Sequence, residues 1–302
     1  ADHELRSFQD HTRAFLKVQD GCDNFCTYCT IKYARGNSRS RRRVSVLSDV
    51  EYLSQKGFKE IILTGIDLGS YSDGEDYGLY ELISDILKYE GFRLRISSVE
   101  PWCFDDRLIE LFVKEKRICP HFHIPLQSGN DEILKVMHRK YDTNLFNNRI
   151  KYIKTNLPEA FIGIDLIVGF PGETDEHFRQ TYEFLKSMDI SFIHVFSYSD
   201  RPGTKSFSMA NKVRNSDITK RSQLLHELSE IKKGEFYKQN IGKTQTALIE
   251  TYTKNGCNIG FTDNYLRVEV RNNESLVNQI IKVKLAEIIP NGNFEAFEIN
   301  EI

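Results

Sequence analysis

Three cysteines, Cys22, Cys26 and Cys29, stand in GCDNFCTYCTIKYARG at CxxxCxxC spacing. A loop with that spacing can turn three thiolates toward one iron-sulfur cube and leave its fourth iron open to a small molecule. Structural zinc wants four protein ligands, usually as two pairs, and near this loop the sequence offers only His11, across an apolar run. Zinc or redox thiols therefore form the weaker reading. Cys103, Cys119 and Cys257 are scattered and lack the spacing of a disulfide framework. Directly after the loop, residues 32–43 carry Lys32, Arg35, Arg39, Arg41, Arg42 and Arg43 with no acid, which is either a solvated charge run or a patch for phosphates.

Positioning such a loop requires a scaffold. Strand-like runs at residues 14–18, 60–65, 94–98, 121–124, 161–170 and 191–198 alternate with amphipathic segments at 47–56, 80–89, 106–116, 131–138, 144–155 and 176–188. This sixfold alternation predicts an α/β fold with a parallel sheet wrapped by helices. Six units are too few for the usual eightfold closure, so a partial (β/α)6 TIM-like barrel is expected. A helix over residues 216–237 follows. Beyond it, TQTALIETY, NIGF, YLRVEV and IIKVKLAEII predict a small all-β barrel that is not basic overall.

The strand ends gather polar groups. LTGIDLGSY supplies Gly65 and Gly69 for close backbone approach, and Asp67 as a carboxylate for an amine; Ser97, Ser98 and Glu100 follow the third strand, and Gln127 and Ser128 the fourth. Asp165, inside an apolar strand and ahead of GFPGET, needs either a structural partner or a ligand hydroxyl. Each alone reads as a turn or cap, but all follow strands of one sheet and so converge on a polar pocket facing the cysteine loop. His121 and His123 alternate on one strand and read as packing and hydrogen bonding; Trp102, Phe104, Phe161 and Phe170 read as core or rim packing.

With 41 basic and 43 acidic residues, nucleic-acid affinity must come from local clusters. No apolar run approaches the ~20 residues of a membrane span, and the compartment is expected to be a reducing cytosol. Residues 1–13 read as a polar linker within a longer protein.

GCDNFCTYCTIKYARG, HFHIPLQSGNDEILKVMHRKY, GIDLIVGFPGET and SYSDRPGT, in that order, resemble the radical S-adenosylmethionine (SAM) methylthiotransferases. LTGIDLGSY and ISSVEP are more similar to the branch acting on N6-threonylcarbamoyladenosine of tRNA than to the isopentenyladenosine or ribosomal-protein branches. The resemblance implies a radical SAM domain over residues 14–237 and an RNA-binding TRAM domain over 238–302. It implies that Cys22, Cys26 and Cys29 hold a 4Fe-4S cluster whose open iron takes the amino and carboxylate groups of SAM. Tyr28 would pack near the adenine, Gly65 would meet the SAM amino group, and Asp165 with Gly169 would contact ribose and adenine. Gln127, Ser128 and Arg139 would line the site. Reductive cleavage of SAM would give a 5′-deoxyadenosyl radical that attacks adenine C2. The implied partners are tRNA and a reductase or flavodoxin-type electron donor, with no membrane, for a monomeric protein. Lys32 stands where relatives carry Pro, and the three further cysteines of a second 4Fe-4S cluster, expected in a preceding domain, are absent from residues 1–302. A methylthiotransferase for a ribosomal protein and a non-catalytic RNA-binding protein with a structural metal are the competing readings.

Overall fold

A computed structural model describes residues 12–272 and 274–299; the expected linker lies almost wholly outside them, as does His11. The elements run β1 (Arg13–Lys17), β2 (Gln19–Asp20), α1 (Ile31–Arg35), β3 (Arg39–Ser40), α2 (Arg43–Gln55), β4 (Glu60–Thr64), α3 (Leu79–Ile86), β5 (Arg93–Ile96) and α4 (Asp106–Lys114). They continue with β6 (His121–His123), α5 (Asp131–Val136), α6 (Thr143–Asn156), β7 (Phe161–Val168), α7 (Asp175–Ser187), β8 (Phe192–Ser197) and α8 (Asn215–Asn240). Then come β9 (Thr244–Tyr252), β10 (Cys257–Thr262), β11 (Arg267–Arg271), β12 (Ile280–Ile288) and β13 (Phe294–Glu298).

All six expected barrel strands form, as two parallel sheets in the orders β1-β4-β5 and β6-β7-β8. A parallel bridge between Leu94 and Ile118, with Val99 N donating to His123 O at 3.1 Å, joins the two halves. β1 and β8 do not pair, so the wall stays open between them. Alternation explains the layering. On β1, Ala14 and Leu16 are fully buried under the helices, whereas Phe15, facing the lumen, is 50% exposed. Several helix starts are written in side chains: Asp105, Asn130, Asp142 and Thr174 each accept the backbone N–H three residues on. β8, an edge strand, is shielded by α8, whose buried Ser229 hydroxyl accepts from Ile193 N at 2.9 Å and donates to Ile193 O at 3.0 Å.

The C-terminal strands close into a barrel in the order β10-β11-β13-β12-β9, β11 and β13 running parallel. β13 is a fifth strand beyond the four read from sequence; FEAFE is short, with two of its five residues acidic, a weak strand signal. A register shift falls at Ile259/Gly260, and a Cβ on Gly260 would sit 2.1 Å from Leu248 O, so the bulge demands glycine.

The two barrels lock together through buried charge. Glu60 is wholly buried and accepts from Arg93 Nε at 2.5 Å and from Arg95 Nε at 2.9 Å. The same arginines reach out of the lumen: Arg93 Nη2 donates to Phe261 O at 2.9 Å and Arg95 Nη1 to Asp263 O at 2.9 Å. The β10–β11 turn thereby forms the floor of the first barrel. Burial alone would raise the Glu60 pKa, but Arg95 and Arg93 overcome it and hold the carboxyl at about 2.

Candidate functional site

The cysteine loop leaves β2 through Gly21, where φ is +73° and a Cβ would lie 2.0 Å from Asn37 O. Only glycine permits that approach. Cys22 N donates to Gly36 O at 3.1 Å, and Cys29 N to Cys26 O at 3.1 Å, which folds the second and third cysteines into a turn. Thr27 N donates to Met137 O at 3.1 Å and Ser206 N to Thr27 O at 2.8 Å, anchoring the loop to the end of α5 and to the short turn Lys205–Ser208. All three thiols are free and partly exposed.

Donors are aimed at the sulfurs. Asn24 N lies 3.4 Å from Cys22 Sγ, and Arg139 Nη1 lies 3.2 Å from Cys26 Sγ. Burial pushes the Cys22 thiol up to about 11 and raises Cys29 as well, so metal loading must expel their protons. Among the described residues no three His, Cys, Asp or Glu side chains gather on one metal ion. Three separate free thiols, with N–H groups directed at two of them, are a donor set suited to a cluster larger than a single ion.

Asp67 is buried and committed to the loop: its Oδ2 accepts from Asn24 Nδ2 at 2.9 Å and lies 3.6 Å from Cys22 Sγ, while its N–H donates to Gln19 Oε1 at 2.8 Å. Gly65 backs onto the same Gln19, where a Cβ would stand 3.0 Å from Oε1. Arg139 is held between Trp102 and Tyr141, with its carbon 5.7 Å and 5.0 Å from their ring centres, and pairs with partly buried Glu100. Burial raises the Glu100 carboxyl to about 7 even beside that guanidinium. Cys22 is thus tied to Asp67 and Asn24, and Cys26 to Arg139 and Glu100.

Tyr28 packs against an apolar cluster of Ile133, Met137 and Phe170, its ring edge-on to Phe170 at 6.4 Å. Together with Cys29, Ile167, Phe196 and Arg201 it also lines a cavity of about 340 Å³ beside the loop. Gln127 adopts φ +67°, uncommon for a residue with a Cβ, because its N–H donates to Asp165 O at 2.8 Å while its carbonyl accepts from Ile167 N at 3.0 Å. Ser128 is buried, and its hydroxyl accepts from Asn130 N at 3.3 Å. Asp165 has a structural partner: its Oδ1 lies 2.8 Å from His123 Nε2. Gly169, at φ +80°, is covered by Ile218, whose Cγ1 would stand 2.4 Å from a Cβ there, so it faces α8 and not the cavity.

Sequence reasoning passed over Asn24, Phe196 and Arg201 as site residues. Asn24 lies inside the motif and carries no signal beyond its neighbours; Phe196 looks like an ordinary strand residue, and Arg201 sits in the loop after β8 within SYSDRPGT.

The Radical SAM superfamily pattern matches residues 16–185. The chain is 43% identical over 82% of its length to "Threonylcarbamoyladenosine tRNA methylthiotransferase MtaB" of Aquifex aeolicus (strain VF5), covering 62% of that protein. It is 40% identical over 93% of its length to the protein of the same name in Bacillus subtilis (strain 168), covering 64% of it. "tRNA-2-methylthio-N(6)-dimethylallyladenosine synthase" of the same Bacillus strain is 35% identical over 91% of this chain and 55% of that protein. The chain thus spans less than two thirds of these curated relatives. The fold is similar to that of the radical SAM methyltransferase TsrM of Kitasatospora setae, at TM-score 0.55 and 16% identity over 64% of this chain and 38% of that one. Matched over more than half its length and carrying the three thiols of the motif, the chain belongs to the radical SAM superfamily.

Proposed function

We propose that this chain is the radical SAM core and TRAM barrel of a methylthiotransferase acting on C2 of N6-threonylcarbamoyladenosine in tRNA. One observation carries the reading: identity to relatives named for that substrate reaches 43%, and within one Bacillus strain it is 40% for that activity against 35% for the dimethylallyladenosine activity. Cys22, Cys26 and Cys29 would hold the 4Fe-4S cluster that, with SAM bound, supplies the radical chemistry. Arg139 and the Asn24 amide stabilise thiolate charge at Cys26 and Cys22 through their N–H groups. Glu100 keeps the Arg139 guanidinium in place, and Asp67 fixes the loop through Asn24. The cavity beside Cys29, walled by Tyr28, Ile167 and Phe196 and carrying Arg201, suits a nucleoside with a charged tail, and Gln127 presents its amide at the end of β6 nearby in the fold. Gly65 and Asp67 line the opposite side of the loop. Ser128, Asp165 and Gly169 support this site from behind, through the turn after β6, His123 and α8.

The five-stranded closed barrel is read as the TRAM domain, and Lys32, Arg35 and Arg42 as additional phosphate contacts. Arg41 is already bound to Asp49 at 2.6 Å, and the Arg43 guanidinium lies 4.9 Å from the Tyr77 ring centre. A preceding domain would bring the second cluster. An electron donor of the reductase or flavodoxin type, a monomeric state and a cytoplasmic location complete the reading; among the described residues no helix is long and apolar enough to cross a membrane. The test is nucleoside analysis of tRNA from cells with and without the full-length gene. Appearance of 2-methylthio-N6-threonylcarbamoyladenosine supports the proposal, and 2-methylthio-N6-dimethylallyladenosine in its place overturns the substrate.

A further inference from the structure

Where the first barrel meets the second, a cavity of about 440 Å³ opens at the N-terminal ends of β6, β7 and β8. It is separate from the cysteine loop, and neither Asp nor Glu lines it. One wall is a row of rings: His121 lies 5.3 Å from Phe161 and 4.5 Å from Tyr265, and Tyr265 stacks on Phe261 at 5.0 Å. The rim carries Lys233 and Arg267. Among the described residues Arg267 makes no ion pair, and Lys233 has only Glu230 at 3.8 Å, whose side chain is 68% exposed.

We propose that this cavity is a nucleotide-binding site, taking a phosphorylated nucleoside with its base along the ring wall and its phosphate on Lys233 and Arg267. A void that served packing alone would be filled or apolar. On its wall, His121 Nδ1 is buried with no hydrogen-bond partner. Such an atom is costly unless a ligand or water meets it. Rings offer a stacking face that any base can use, and two cations on a rim whose lining includes no acid favour an anion. The volume lies within the ~300–1,000 Å³ typical of small-molecule sites. Glu269, behind the rim turn, does not oppose the anion freely: its Oε1 accepts from Asn291 Nδ2 at 2.7 Å and Asn293 Nδ2 at 2.6 Å. The nucleotide could come from an RNA strand or be free in solution, and the chemistry is the same.

The test uses this chain with two probes, 5′-AMP and an anticodon stem-loop RNA. One variant, Lys233→Ala with Arg267→Ala, removes the cations. The other, Gly163→Val, fills the cavity without changing charge; a Cβ there would stand 3.3 Å from Phe161 Cε1 and 3.8 Å from His194 Nε2, which leaves room with a small shift. Losing two charge-assisted contacts should weaken binding by about tenfold or more, and Gly163→Val should do likewise. Weaker AMP binding in both variants supports a free nucleotide; weaker RNA binding in both, with no AMP binding, supports an RNA nucleotide. If Gly163→Val leaves both affinities unchanged, or only the charge variant weakens RNA binding, the cavity is not the site. Imidazole NMR of the unaltered chain gives a second reading independent of variant folding: no shift of His121, His123 or His194 with either probe overturns the proposal. Neither probe needs a cluster or SAM, so failure here leaves the methylthiotransferase reading untouched, and the reverse holds.

Discussion

Glu60→Gln is the substitution whose cost follows most directly from the structure. The carboxylate has no solvent exposure and is the shared acceptor for Arg93 and Arg95, whose side chains are 7% and 3% exposed. Glutamine keeps the shape and one acceptor oxygen but leaves two buried guanidinium charges without a counter-charge. Breaking a buried pair in this way costs about 3–5 kcal/mol. The titration argues the same figure: lowering the carboxyl from its ordinary 4.5 to about 2 is worth roughly 3 kcal/mol. Because the folded-state pKa is depressed, that contribution is fully present above pH 4.5 and is lost as the pH falls toward 2. Circular dichroism melts at pH 7 should show Glu60→Gln lowered by roughly 5 °C. At pH 7, urea unfolding should give a stability difference of about 3 kcal/mol, and between pH 4.5 and 2 the parent protein should lose stability faster than the variant. The backbone acceptors at Phe261 and Asp263 partly compensate the arginines, so a loss at the lower end is expected. A difference below about 1 kcal/mol, or equal acid sensitivity in the two proteins, would refute the claim that ionised Glu60 holds the barrel floor.

Other outcomes follow from single contacts. Cys22→Ser, Cys26→Ser and Cys29→Ser should each abolish stable iron uptake on anaerobic reconstitution while leaving the melting curve close to the parent's; full iron retention by any of them would remove that cysteine from the ligand set. Arg139→Gln takes the N–H from Cys26 and the counter-charge from Glu100, and should cost about 2–4 kcal/mol in urea unfolding together with faster loss of iron under chelator. Ser229→Ala strips both partners from the Ile193 backbone at the edge of β8, a loss of about 1–3 kcal/mol visible as faster amide exchange at Ile193. Gly21→Ala, at φ +73° with Asn37 O in its path, should be destabilised by more than 1 kcal/mol and bind iron poorly, read by melting and iron content.

The alternation of apolar runs and amphipathic segments was enough to place six strands and the helices around them, because periodicity is a local property of the chain. The cysteine loop was equally legible: its spacing is the chemistry, and three donors close in sequence need little help to be close in space. Asp165 shows where local reading stops. From sequence it was either paired or ligand-facing, and its partner His123, 42 positions away at 2.8 Å, carries no local signal. Gly169 was expected beside a nucleoside, yet Ile218 from a helix far along the chain covers it.

By itself the sequence determined the order of elements and singled out the three-cysteine loop, since both rest on neighbours within a few residues. Only the tertiary structure decided that Arg139 reaches Cys26, that Glu60 gathers two arginines over the turn of a second barrel, and that a ring-lined cavity opens at that seam. Those contacts join residues separated by tens to hundreds of positions, and their energies depend on burial, which no local pattern of residue types specifies.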